Sequence, residues 1–106
     1  FFLVGSSMGG YVSLVASEQV TAKALFLLAP ALYMEGCKRQ TYNSACQHIE
    51  IIHGWSDDII PVDHSMKFAK EADCTLHLIS GDHRLKSSIK MVVSIFEHFL
   101  TTALRM

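Results

Sequence analysis

The sequence predicts an α/β fold, in which a parallel sheet carries helices on both of its faces. Four short apolar or alternating runs of strand length lie along the 106 residues, at positions 2–4, 24–28, 49–52 and 75–79. Helical patterns follow most of these runs. Strands that alternate with helices pair in parallel through right-handed crossovers, and nearly continuous apolar strands suit a sheet that is covered on both sides.

Helical patterns follow three of the four predicted strands. After the first, residues 11–17 place one apolar face on Val12, Val15 and Ala16. After the third, Pro61 can occupy a first helical turn, and the residues at helical spacing are Ser65, Phe68, Ala69 and Ala72. After the fourth, Ser87 or Ser88 can cap a helix with an apolar stripe of Ile89, Val92, Val93, Phe96, Phe99, Leu100 and Ala103. Segment 31–47 allows a short helix or a loop.

Composition narrows the range of partners. The formal net charge is −1 and no long basic run is present, which argues against nucleic acid and anionic membranes and favours a small ligand. The longest apolar stretch is too short to span a bilayer. Three cysteines are an odd number without a framework spacing, so we expect reduced thiols and a cytoplasmic protein.

The start of the chain bears on its domain organisation. Phe1 stands where an initiator methionine is expected, and a buried strand follows at once. We therefore expect residues 1–106 to form a single domain that is truncated at its N-terminus. The sequence does not indicate an oligomeric state.

A Gly-Ser-Ser-Met-Gly motif at positions 5–9 lies between the first predicted strand and its helix. A serine at such a corner is held on a tight, strained turn with its hydroxyl directed away from the sheet, and the flanking glycines leave room for the backbone. The motif makes Ser7 a candidate nucleophile. The alternative is an ordinary glycine-rich turn between a strand and a helix.

Two further strand ends supply partners for Ser7. His-Gly-Trp-Ser-Asp-Asp-Ile-Ile-Pro follows the third strand from position 53, and Ser-Gly-Asp-His-Arg follows the fourth from position 80. A serine hydroxyl needs an imidazole to take its proton and a carboxylate to hold that imidazole. His83 is the candidate base. Asp82 neighbours it in sequence but should point away, which leaves Asp57 and Asp58 as candidate acids.

These three segments resemble the C-terminal half of a small protein of the α/β-hydrolase fold, and the resemblance covers essentially the whole chain. It implies that Asp57 is the acid, because the family's His-Gly-x-x-Asp-x-x-Val-Pro stretch matches here with Ile60 in place of valine. The order Ser7, Asp57, His83 is the order of that fold. The resemblance also implies that the final helix lies alone on one face of the sheet.

The resemblance further implies an oxyanion hole of two backbone N–H groups. One belongs to Met8, and the other comes from a loop after an early strand that this sequence does not contain. We therefore expect a cap-less serine hydrolase of a small carboxylic ester or thioester, with no cofactor and no metal. An amidase or peptidase with the same triad and a non-catalytic binding module remain as alternatives.

Several other residues near the motifs have plain structural interpretations. His53 is expected to be a packing or hydrogen-bonding residue, and His64 and His98 to face solvent. The spacing of Cys37, Cys46 and His48 lacks a zinc-binding form. The residues that could line an acyl pocket, or equally belong to the core or surface, are Tyr11, Trp55, Ile59, Ile60 and Leu85.

Overall fold

The computed structural model describes residues 1–106 as four strands and three helices. The strands are β1 (Phe2–Ser6), β2 (Ala24–Leu28), β3 (Ile49–Gly54) and β4 (Thr75–Ile79). The helices are α1 (Met8–Ala16), α2 (Val62–Ala72) and α3 (Ile89–Leu104), with a single 3-10 turn, Lys86–Ser88, before α3. The predicted α/β class and the four strands are confirmed, although β1 and β3 each run two residues further than predicted.

The four strands form one parallel sheet in the order β1-β2-β3-β4. Ser6 pairs with Leu28 and Gly54 pairs with Ile79, so the ends are level within each of these pairs. Leu28 pairs with Ile52, so β3 and β4 extend two residues beyond β1 and β2. Because every strand runs in the same direction, all four carboxyl ends lie at one edge of the sheet. Polar side chains that follow these strands are therefore brought close together.

Helices cover both faces of the sheet. On one face, Leu14 of α1 and Phe68 of α2 pack in a cluster with Leu25, Leu27 and Ile51 of the central strands. On the other face, α3 packs on a cluster of side chains that comprises Ala24, Phe26, Ile52, Ile79, Leu85, Val92, Phe99 and Ala103. Alternate residues of β2 thus serve opposite cores. The final helix lies alone on its face, as the resemblance implied.

Aromatic rings form much of the core beneath α3. Phe99 is fully buried, and its ring centroid lies 4.9 Å from that of Phe26, 6.1 Å from that of Phe96 and 6.4 Å from that of Phe2. These separations fall within the range of favourable aromatic pairs. Phe99 therefore joins α3 to both β1 and β2.

The buried face of α1 differs from the predicted one. Val12 is 55% exposed, whereas Gly10 and Leu14 are the buried residues of this helix. The helix begins at Met8, three residues earlier than predicted, and Gly10 packs so closely on Pro30 that an added Cβ would lie 2.8 Å from the proline Cβ. That contact turns Gly10 and Leu14, which lie one turn apart, towards the sheet.

The predicted faces of α2 and α3 are correct in their central residues. Ser65 and Phe68 of α2 and Val92, Phe99 and Ala103 of α3 are buried. Three positions of these stripes are wrong, because Ala72 of α2 is exposed and Ile89 and Val93 of α3 are 56% and 47% exposed.

The segment between β2 and β3 is a loop, which resolves the alternative that the sequence left open. One guanidinium nitrogen of Arg39 donates to both carboxylate oxygens of Glu18 at 2.8 Å. The Tyr42 ring lies 5.3 Å from the Tyr33 ring and 5.9 Å from the Phe68 ring. The loop is thus fixed by an ion pair to the turn that follows α1 and by aromatic packing to α2.

None of the helices combines the length and the apolar character that crossing a membrane requires. The three cysteines, Cys37, Cys46 and Cys74, carry free thiols.

We predict that Phe99→Ala destabilises the full-length protein by about 3–5 kcal/mol, because it opens a cavity where three aromatic rings meet. Urea unfolding measures the change. Leu104→Ala is the control on the same helix; its side chain is 70% exposed, so its effect should stay within about 0.5 kcal/mol. Equal effects of the two substitutions would contradict the assigned face of α3.

Candidate active site

Three side chains from three different strand ends meet at the carboxyl edge of the sheet. Ser7 follows β1, Asp57 follows β3 and His83 follows β4. The His83 ring lies between the other two, with Nδ1 2.8 Å from Asp57 Oδ2 and Nε2 2.9 Å from Ser7 Oγ. The carboxylate accepts a hydrogen bond from the Nδ1–H group, so a neutral His83 ring has a free lone pair at Nε2, which accepts the hydrogen bond from the Ser7 hydroxyl.

Ser7 has an unusual backbone conformation. Its φ of 54° and ψ of −119° are unfavourable for a residue with a Cβ. The turn is held on both sides: the Ser7 N–H donates to the Leu28 carbonyl at 2.9 Å, and the Ser7 carbonyl accepts from the N–H groups of Gly10 at 3.0 Å and Ala31 at 2.9 Å. Strand β2 and the loop after it therefore enforce the strained corner.

Close packing at the corner depends on Gly5 and Gly10. A Cβ at Gly5 would overlap the Gly9 carbonyl oxygen and the Ser13 hydroxyl, whereas a Cβ at Gly9 would meet no atom within 4 Å. The expectation that both glycines of the motif make room for the backbone is therefore correct for Gly5 and wrong for Gly9. The second close approach occurs one residue later, where Gly10 meets Pro30.

The Met8 N–H lies next to Ser7 at the start of α1. The first N–H groups of a helix have no partner within the helix. The Met8 N–H likewise donates to no backbone carbonyl elsewhere in the chain. The partial positive charge at a helix N-terminus favours a nearby anion. This N–H group is thus free to donate to a negatively charged oxygen beside Ser7.

The Asp57 carboxylate is completely shielded from solvent. Its Oδ1 accepts hydrogen bonds from the backbone N–H groups of Ile59 at 2.9 Å and Ile60 at 2.8 Å, and its Oδ2 accepts from His83. Burial alone raises the pKa of Asp57, but the hydrogen bonds from His83, Ile60 and Ile59 outweigh it and hold this pKa below its ordinary value.

The partner of His83 Nδ1 is Asp57 and neither of the other two aspartates, Asp58 and Asp82. Asp58 is exposed. Asp82 is also exposed, and its Oδ1 accepts from the backbone N–H groups of Arg84 and Leu85, both at 3.1 Å. Asp82 therefore stabilises its own turn.

The sequence also predicts the environments of three further histidines. His98 is exposed as predicted, but the prediction for His64 is wrong, because its ring is half-buried and its Nδ1 lies 2.6 Å from the Leu32 carbonyl. The loop after β2 lies over α2 and supplies this acceptor. His53 is fully buried and hydrogen-bonded, as expected, yet sequence reasoning did not find that it lies against Asp57.

A cavity of about 340 Å³ opens beside His83. It is lined by Ser6, Leu28, His83, Arg84, Leu85, Ile89 and Val92. Of the five residues suggested for an acyl pocket, Leu85 alone lines this cavity. Ile60 is instead buried in the core, while Trp55 and Ile59 are each 57% exposed.

Solved structures of α/β-hydrolase proteins resemble this chain. One from Xanthomonas campestris pv. campestris, assigned to the hydrolases of the alpha/beta superfamily, is 30% identical with a TM-score of 0.83, over 95% of this chain and 57% of that chain. An α/β serine hydrolase without a lid, also from X. campestris, is 21% identical with a TM-score of 0.82, over 95% and 46%. An esterase from Pyrococcus furiosus is 15% identical with a TM-score of 0.81, over 95% and 53%.

No protein-family model matches the chain, and no curated protein sequence matches it either. The structural likeness shows that the chain has part of the α/β-hydrolase fold, as its three motifs predicted. It spans about half the length of the solved structures that it resembles.

We predict opposite effects for two alanine substitutions in the same motif. Gly5→Ala should destabilise the full-length protein by about 2 kcal/mol or more, because its Cβ collides with backbone that cannot move freely. Gly9→Ala should be neutral or stabilising by up to about 1 kcal/mol, because alanine favours the helix and finds open space. Urea unfolding of both variants decides, and a Gly9→Ala loss as large as that of Gly5→Ala would contradict the packing described.

The lowered pKa of Asp57 predicts a pH dependence of stability. In the unfolded chain this carboxyl has an ordinary pKa of about 4, so protonation favours unfolding. The stabilisation is present in full above about pH 4 and is lost as the pH falls through the lower pKa of the folded state. The unfolding free energy of the wild type minus that of Asp57→Asn should therefore fall below about pH 4.

The exposed neighbour provides the control for this titration. Asp58→Asn should give a difference from the wild type that changes little over the same pH range, because Asp58 accepts no hydrogen bond from the chain. A difference for Asp57→Asn that stays constant or grows on acidification would show that the folded carboxyl does not have a lowered pKa.

Proposed function

We propose that the full-length protein is a serine hydrolase that cleaves a small carboxylic ester or thioester. Ser7 is the nucleophile, His83 the general base and acid, and Asp57 the residue that orients His83. The observation that carries the proposal is the unbroken set of contacts from the buried Asp57 carboxylate through His83 to the Ser7 hydroxyl. The strained backbone of Ser7 gives it further support.

In the first half of the reaction, the Ser7 hydroxyl proton passes to His83 Nε2 while Oγ bonds to the substrate carbonyl carbon. The carbonyl π electrons move to oxygen, and the Met8 N–H donates to the resulting oxyanion. When the tetrahedral intermediate collapses, the bond to the leaving alcohol or thiol breaks and His83 returns the proton to it. An acyl group remains on Ser7.

Water completes the cycle. It gives a proton to His83 Nε2 and attacks the acyl carbon, and the proton then returns to Ser7 Oγ as the acid leaves. Asp57 stays ionised throughout and stabilises the imidazolium. Its lowered pKa suits this role, because a carboxylate that stays charged can stabilise the transient positive charge on His83.

The cavity beside His83 supports a small substrate. Its volume of about 340 Å³ lies near the lower end of the range for ligand pockets. Four of its lining residues, Leu28, Leu85, Ile89 and Val92, are apolar. They can accommodate a short aliphatic acyl or alcohol group.

The proposal is tested with a fluorophosphonate probe and a short p-nitrophenyl ester on the full-length protein. We expect labelling of Ser7 and ester hydrolysis in the wild type, with losses of about 10⁴-fold or more in kcat for Ser7→Ala and His83→Ala. Asp57→Asn should cost about 10⁴-fold, because the Nδ1 partner then no longer enforces the required tautomer. Asp58→Asn, the adjacent control, should keep activity within about twofold of the wild type.

The outcomes separate the alternatives. Absence of labelling and turnover would indicate a non-catalytic binding module, and faster cleavage of a matched anilide than of the ester would indicate an amidase. Loss of activity in Asp58→Asn with retention in Asp57→Asn would show that the acid was assigned incorrectly.

A further inference from the structure

His53 is a fully buried histidine that the proposed reaction does not use. It lies one residue before the end of β3, a strand whose residues are all buried. A buried imidazole has two nitrogens, and leaving either without a polar partner is unfavourable. The partners of these two nitrogens therefore show why a histidine occupies this position.

Both ring nitrogens of His53 have a buried partner. Nδ1 lies 2.7 Å from the hydroxyl of Ser65 on α2, and Nε2 lies 2.9 Å from the backbone carbonyl of Ile60. A carbonyl oxygen can only accept, so Nε2 carries a proton and donates it. In the neutral ring, Nδ1 then accepts the hydrogen bond from Ser65.

The same proton-bearing Nε2 lies 3.1 Å from Asp57 Oδ2. This oxygen is the one that accepts from His83 Nδ1 at 2.8 Å, so the imidazoles of His53 and His83 both contact it. The Asp57 and His53 side chains are completely shielded from solvent, and the His83 side chain is 14% exposed. The two imidazoles, and not water, thus compensate the negative charge at Asp57 Oδ2.

His53 also holds the loop that carries Asp57. Ile60 uses its N–H to donate to Asp57 Oδ1 and its carbonyl to accept from His53 Nε2. His53, Ile60 and Asp57 therefore form a closed set of contacts. This arrangement fixes both the path of the loop and the rotation of the carboxylate about its last bond.

We propose that His53 is a positioning residue for the reaction: it directs Asp57 Oδ2 at His83 and keeps the carboxylate in that orientation. The inference rests on the proposed function. It differs from a packing role, because the effect on turnover passes through Asp57. Replacing His53 should therefore lower kcat much more than it alters KM, and the loss should depend on the presence of Asp57.

Three substitutions of His53 in the full-length protein distinguish the effect of losing the N–H donor at the Nε2 position from the effect of losing the volume of the ring. In His53→Gln an amide N–H can reach the position of Nε2, in His53→Asn the shorter amide reaches the position of Nδ1 only, and His53→Leu has neither donor. We expect kcat losses of about 10- to 100-fold in the Leu and Asn variants and of less than about fivefold in the Gln variant. KM should stay within about threefold in all three.

A double-mutant cycle tests the route of the effect. In an Asp57→Asn background, His53→Leu should cause little further loss of kcat, because the residue through which His53 acts is already changed. Ser65→Ala is the matched control: it removes the partner of Nδ1 but leaves the Nε2 contacts with Ile60 and Asp57. It should lower stability while kcat falls less than about threefold.

A proton NMR measurement does not depend on turnover. The His83 Nδ1 proton, hydrogen-bonded to a buried carboxylate, should give a resonance far downfield that is lost in Asp57→Asn, shifted or lost in His53→Leu and His53→Asn, and retained in His53→Gln. An inactive wild type would overturn the proposed function, and the resonance would still decide the role of His53. The positioning role of His53 would be overturned by equal kcat and an equal resonance in wild type and His53→Asn, or by full additivity in the double-mutant cycle.

Discussion

A carboxylate that water cannot reach must obtain all its solvation from the protein, and this requirement at Asp57 governs the architecture of the site. The backbone N–H groups of the loop contact one oxygen, and two imidazoles contact the other. An unpaired charge in the interior is strongly unfavourable. The loop after β3 and the turn after β4 must therefore keep their relative positions, because displacement of either removes a donor from the carboxylate.

The parallel sheet makes this arrangement possible but does not complete it. Neighbouring strands lie about 4.8 Å apart, so the ends of β1 and β4 are separated by about 14 Å in a flat sheet. His83 reaches Ser7 because the turn after β4 crosses back over β3. Gly54 allows the crossing, since a Cβ there would overlap the Gly81 carbonyl, and the Ser56 N–H donates to the same carbonyl at 3.0 Å.

The parts of this structure that were predictable from sequence depend on local periodicity and on motif order. Strands β2 and β4 were predicted to the residue, because continuous or alternating apolar runs there end at clear turn signals. The buried face of α1 was wrong at Val12, since the contact of Gly10 with Pro30, a long-range contact, sets the rotation of that helix. Apolar spacing within a nine-residue helix carries too little information to compete with such a contact.

The sequence predicted which residues meet at the site, but it did not predict the contacts that orient the Asp57 carboxylate. Sequence order and parallel pairing predict that His83 meets an aspartate of the loop after β3. They left Asp57 and Asp58 open, and the choice of Asp57 came from the resemblance to the α/β-hydrolase fold. The contacts of His53 with Ile60 and Ser65 span seven and twelve residues, and they depend on the path of an irregular loop. The available signal was a histidine near the end of a buried strand that holds one other polar side chain, Glu50, and four positions before an aspartate.

The strained backbone at Ser7, with its positive φ of 54°, places folding in opposition to the proposed chemistry at one position. A residue with a Cβ in a sparsely populated backbone region costs about 1–3 kcal/mol, and glycine would relieve most of that strain. Glycine also has no hydroxyl. A chain selected for thermodynamic stability alone would therefore lose its serine here. The contacts of Ser7 with β2 and the loop after it offset the backbone strain, and they keep the Ser7 hydroxyl at this corner.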